Sequence, residues 1–166
     1  MGSTDYIVQL IEEAKKFDIP TLPPDVNSSQ LKFTATKEGI RFGLAGIKNV
    51  GGKAVEGIVS DREANGPFTS LYSFTGRLDT RLVNKRAVEG LIESGAFDST
   101  MPDGTTMGQY RADLLANVEH ALSYGSMASK SDAGQDSLFG GETSKGAIKE
   151  PPLNPSPNTW SEREML

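Results

Sequence analysis

Lys48, Asn49, Val50, Gly51, Gly52 and Lys53 are consecutive, and their types suit the capture of a phosphate. Two ammonium groups bracket a glycine pair that would let an anion come close to the backbone. Apolar residues then recur at Ala54, Val55, Ile58 and Val59, the spacing of a helix with one buried face. The first N–H groups of a helix have no partner inside it and sit at the positive end of its dipole, so such a start attracts anions. The N–H groups of Val50, Gly51, Gly52 and Lys53 are expected to face the phosphate. Asn49 tolerates the left-handed conformation usually left to glycine, and Ile47 and Val50 are expected to pack inward. An ordinary helical turn closed by glycine fits the same residues. Lys85 and Arg86, at another helix start, could meet a second phosphate, although solvated surface cations fit equally well.

Other chemistry is sparse. His120 is the single histidine and cysteine is absent, which removes thiolate metal sites, disulfides and cysteine nucleophiles and suits a reducing cytoplasm. No metal-spaced cluster, no phosphate-cradling loop of the nucleotide-hydrolase type and no serine with a histidine partner is present. The chain is expected to be non-catalytic by itself. No apolar run approaches the roughly 20 residues that span a bilayer, so no membrane partner is expected. The start is not a signal peptide, and Met1-Gly2-Ser3 reads as a cloning remnant.

The net charge of −5 disfavours nucleic acid until it is divided along the chain. From Gln30 to Asp98 there are ten basic and eight acidic residues, a net +2, so the flanks carry −7. Local charge governs phosphate binding more than the total does, and +2 predicts weak affinity.

The elements that must position these groups are mainly helical. Residues 5–17 place Ile7, Leu10, Ile11, Ala14 and Phe17 at helical spacing behind a Thr4 or Asp5 cap, and residues 19–27 read as an ordered proline-rich loop. Leu31–Thr36 and Ile40–Leu44 predict a small β-hairpin around Lys37-Glu38-Gly39. A helix-hairpin-helix follows to about Asn65, stopped by Gly66-Pro67. A second, degenerate one spans Phe68 to Phe97, with Ser70 or Thr69 and Asn84 as caps and Gly95 closing the last helix. Residues 107–122 show one more helical period. Three regions result: 1–39 with the first helix, loop and start of the β-hairpin; 40–125 with the tandem motifs; and 126–166 as a flexible tail. In that tail Pro151, Pro152, Pro155 and Pro157 oppose regular structure.

The tail also holds Gln135-Asp136-Ser137-Leu138-Phe139, an amide followed by two large apolar residues in polar surroundings, which suits insertion into a partner's pocket.

Several stretches together resemble the α subunit of bacterial DNA polymerase III, the C-family replicative polymerase. They are Leu22 to Ser29, Ile40 to Leu44, Ile47 to Gly51, Gly66-Pro67-Phe68, Val83 to Arg86, Leu91 to Asp98 and Gly134 to Gly140, in family order. The resemblance implies the end of the fingers followed by the tandem helix-hairpin-helix domain that holds duplex DNA. It implies that Gln135, Leu138 and Phe139 dock on the β sliding clamp, the glutamine at the pocket rim and the apolar pair inside. It also implies a cytoplasmic, nucleoid-associated setting with other replisome subunits nearby. The family's magnesium-binding aspartates lie in a palm domain outside these stretches, so no cofactor is expected here beyond a monovalent cation that such hairpins sometimes hold. The chain is then a polymerase fragment. A protein-interaction module with purely structural hairpins is the alternative reading, and a nuclease or ligase piece lacks the carboxylates it would need.

Overall fold

A computed structural model describes residues 3–135 and 150–157. Helix α1, Ser3–Lys16, begins two or three residues earlier than the Thr4 or Asp5 cap predicts and ends where Asp18 turns left-handed at φ 53°. Ala14 is buried and Ile7, Leu10 and Ile11 are half-buried, whereas Phe17, last in the apolar series, is 75% exposed.

The proline-rich segment supplies a strand that its composition conceals. Thr21–Leu22 (β1) pairs parallel with Gly39–Arg41 (β3), and Thr34–Thr36 (β2) pairs antiparallel with β3, in the order β1-β3-β2. Proline at 20 and 23 limits β1 to two residues, because proline cannot donate to a ladder. Gly39 takes φ 146° at the turn, as the hairpin reading requires. Downstream, Val26 is fully buried and its N–H reaches the Ala96 carbonyl at 2.9 Å. The Asn27 amide accepts from the Phe68 N–H (2.7 Å) and donates to the Phe68 carbonyl (2.9 Å). The loop thus latches the sheet region onto the helices.

Next come a 3-10 turn at Leu44–Gly46, then α2 (Gly52–Asn65), α3 (Leu71–Arg77) and α4 (Lys85–Glu93). Ser70 caps α3 and Asn84 caps α4, each accepting from the N–H three residues on. Gly95, at φ 85°, closes α4. Phe74 is the hub of the core, packing edge-on against Phe68 and Phe97 with both centroid distances 4.9 Å.

The helical period over 107–122 is divided into two helices, α5 (Met107–Ala116) and α6 (Val118–Gln135). Asn117 makes the break: it is fully buried, and its side-chain amide donates to the Asp113 carbonyl, competing with helical pairing. Helix α6 crosses α3 closely. Thr75 Oγ1 donates to the Ala121 carbonyl (2.7 Å), and Tyr72 and Tyr124 stack edge-on at 5.4 Å. A side chain at Gly125 would strike the Thr75 backbone. This packing carries the helix beyond the compositional boundary at 126, so serines and glycines there mark a close crossing rather than the start of a tail. Residues 150–157 also lie against the body, with Leu153 packed on the core. Among the described residues no helix is long and apolar enough to cross a membrane.

Candidate nucleic-acid interface

The first hairpin is pinned from beneath by Ile47 and Val50, 8% and 7% exposed. Between them Asn49 takes the left-handed conformation expected of it, φ 67°. Lys48, Asn49, Gly51, Gly52 and Lys53 are all exposed. One expected donor is already used: the Val50 N–H bonds the Ile47 carbonyl at 3.2 Å, which tightens the turn. The N–H groups left for an outside acceptor therefore start one residue later than expected.

At the head of α2 the first helical bond runs from the Val55 N–H to the Gly51 carbonyl (3.1 Å), so Gly52, Lys53 and Ala54 precede it. Helices α3, α4 and α5 begin under the side chains of Ser70, Asn84 and Thr106, whereas the Gly51 cap has none to offer. Gly51 sits in ordinary extended backbone, φ −77°, and a side chain at Gly51 or Gly52 would meet no described atom within 4 Å. Among the described residues no contact calls for glycine at either position.

Gly90 is the opposite case. A Cβ there would lie 2.6 Å from the Lys48 carbonyl oxygen, so its bareness lets α4 support the first hairpin. This contact brings Arg86 beside that hairpin: Lys48, Asn49, Arg86, Glu89, Gly90 and Glu93 line a shallow cleft of about 360 Å³. Lys85 faces elsewhere and pairs with Glu119 (2.6 Å) and, more loosely, with Glu89 (4.0 Å). The Glu119 hydrogen bond holds the lysine above its ordinary pKa, and the same bond holds Glu119 below its own. The second hairpin is tied up internally as well: the Asp79 carbonyl accepts from Leu82 and Val83, and its carboxylate takes the Arg81 N–H and guanidinium.

Arg77 and Arg62, two of the cations in the net +2, prove structural, as does Arg111 beyond that stretch. Arg77 bonds the Asp61 carboxylate (2.7 Å) and the Gly66 carbonyl (2.7 Å) and lies 4.3 Å over the Phe68 ring. Arg62 donates to the Val26 carbonyl, and burial lowers its pKa. Arg111, nearly buried, forms a two-pronged pair with Asp98 at 3.0 and 2.6 Å. Sequence reasoning missed these anchors and Gly90; a glycine inside the amphipathic α4 with no cap to make was the available signal. Of the clamp-type residues, Gln135 is the last of α6, and Leu138 and Phe139 lie outside the described residues. Among the described residues no three His, Cys, Asp or Glu side chains gather to hold a metal ion.

The family described as the helix-hairpin-helix motif matches residues 18–107. The chain is 37% identical to the DNA polymerase III subunit alpha of Borreliella burgdorferi over 151 residues, covering 90% of this chain and 13% of that protein. It is 40% identical to that of Thermus aquaticus over 150 residues, covering 90% and 11%. Similarity to the Chlamydia muridarum subunit reaches 46% over 99 residues, covering 60% and 8%. The chain thus spans a small part of the length of the curated relatives it matches.

Proposed function

The chain belongs to the helix-hairpin-helix motif family and matches a segment of DNA polymerase III α subunits; from that premise we propose that it holds duplex DNA for a replicative polymerase without reading sequence. The observation that carries this is the pair of glycines at the head of α2, required by no contact among the described residues, at a helix start without a side-chain cap and between two exposed lysines. A backbone phosphate oxygen approaching Gly51 and Gly52 would accept from the N–H groups of Gly51, Gly52 and Lys53. The helix dipole and the ammonium groups of Lys48 and Lys53 would add charge. Such contacts fix register on the backbone and carry no base information. Arg86, in the cleft with Lys48 and Asn49, extends the grip toward a neighbouring phosphate, and Lys85 joins it by exchanging Glu119 for phosphate. An exposed pair of that kind holds weakly enough to exchange.

In the same reading Gln135, Leu138 and Phe139 dock the polymerase on a sliding clamp. Support for that part is the sequence motif itself, whose first residue, Gln135, is the last of α6. Template-directed synthesis and its magnesium ions would belong to other parts of the polymerase.

Fluorescence-anisotropy titration of labelled duplexes of unrelated sequence, with purified clamp titrated separately, tests both parts. Equal, salt-sensitive affinity across the duplexes is expected. Strong discrimination between sequences, or binding indifferent to salt, would overturn the DNA assignment. Clamp binding that survives Leu138→Ala with Phe139→Ala would overturn the clamp assignment.

A further inference from the structure

Helix α5 presents three polar side chains at four-residue spacing, Gln109, Asp113 and, at its cap, Asn117, which places them along one face. An extended segment lies across them. The Asn117 side chain accepts from the Asn154 N–H (3.1 Å) and donates to the Asn154 carbonyl (2.8 Å). One turn earlier, Asp113 accepts from the Ser156 N–H (2.7 Å), and Gln109 donates to the Ser156 carbonyl (3.2 Å) while also bonding Asp113 (2.7 Å). Both backbone groups of residues 154 and 156 are therefore satisfied, in the alternating pattern of a strand edge, by side chains of a helix. Glu150 adds a bond from Ser70 Oγ at 2.7 Å, beside the start of α3.

The sequence of the segment matches this use. Prolines occupy 151, 152, 155 and 157, so they fall outside the two positions whose N–H groups are bonded. Proline fixes the extended backbone in advance and lowers the entropy lost on docking. Leu153 supplies the apolar contact with the core. Composition that excludes helix and sheet here favours a docked strap.

We propose that α5 carries a peptide-reading ladder, Gln109–Asp113–Asn117, and that residues 150–157 are its occupant within the same chain. The strap is recognised through its backbone, and the described body includes this strap as well as α6. Asn117, wholly buried and bonded to both the strap and Asp113, makes strap docking part of the fold.

Amide hydrogen exchange on the whole chain, followed residue by residue by NMR, tests this. In the unaltered protein the Asn154 and Ser156 amides should exchange at least about tenfold more slowly than their intrinsic rates. Asn154→Ala keeps the backbone donor and acceptor at 154 and should leave both amides protected. Ser156→Pro removes the donor and should deprotect Asn154, as should Asp113→Ala, while the amides of α3 stay protected in all three. Intrinsic exchange rates at 154 and 156 in the unaltered chain would overturn the proposal, and so would equal loss of protection in Asn154→Ala and Ser156→Pro.

Discussion

The Cβ position of Gly90 lies 2.6 Å from the carbonyl oxygen of Lys48, so the second helix-hairpin-helix holds up the first by direct backbone contact. A hairpin this short has little core of its own, and α4 is the surface against which Ile47 and Lys48 are set. Gly90→Val is expected to force the two apart. Overpacking of this kind costs about 1–3 kcal/mol, which chemical denaturation would read as a lower midpoint. An unchanged midpoint would show that the contact yields freely.

Gly51→Val should behave in the opposite way. Its added side chain points into open space, so the midpoint should move by less than about 1 kcal/mol. Duplex affinity should fall by about tenfold or more, because the branched side chain stands where the phosphate would approach. A folded variant that binds duplex as tightly as before would remove the phosphate site from the head of α2.

Salt should expose the number of phosphates engaged. With about three to four neutralised, the plot of log affinity against log salt is expected to slope near −3. Lys53→Ala and Arg86→Ala should each reduce that slope by about 1. Glu119→Gln frees Lys85 from its partner and should raise affinity at low salt. If it has no effect, Lys85 takes no part in binding.

The Asp98–Arg111 pair should matter far more to stability than the exposed pairs. Asp98→Ala leaves a nearly buried guanidinium without its carboxylate, a loss of about 3–5 kcal/mol. Removing Glu119 from exposed Lys85 should cost little. Thermal denaturation of the two variants side by side checks the contrast, and equal midpoints would contradict it.

Tyr110 gives a test on the alkaline side. Burial raises its phenol above the ordinary pKa, and its oxygen lies 2.6 Å from Thr100 Oγ1. A raised folded-state pKa means the stability is complete below the unfolded value near 10 and is lost as pH climbs through the folded one. Tyr110→Phe should lose about 1 kcal/mol at neutral pH and show a shallower decline above pH 10. An unchanged alkaline limb would place the transition elsewhere.

Local signals were legible wherever short-range physics decides. Asn49 was readable as a left-handed residue, Ser70 and Asn84 as caps, and Gly39 and Gly95 as positive-φ glycines, because each depends on a few neighbouring residues. The same reasoning failed at β1, whose residues pair with strand residues nineteen positions further on, and at Asn117, which looked like part of one continuous helix. It also placed the tail too early, because α6 is sustained by its crossing with α3 rather than by its own composition.

The sequence by itself determined the tandem motif, the glycine pair beside two lysines and the family to which they belong, since these rest on residue type and spacing along the chain. Only the tertiary structure decided which glycines serve the fold and which face outward. It also divided Lys85, paired with Glu119, from Arg86, which shares a cleft with the first hairpin. Turning the prolines of 151–157 into a docked strap was likewise a matter of assembly. Each of these outcomes depends on atoms that meet only after distant segments pack, and no local periodicity encodes where those atoms will be.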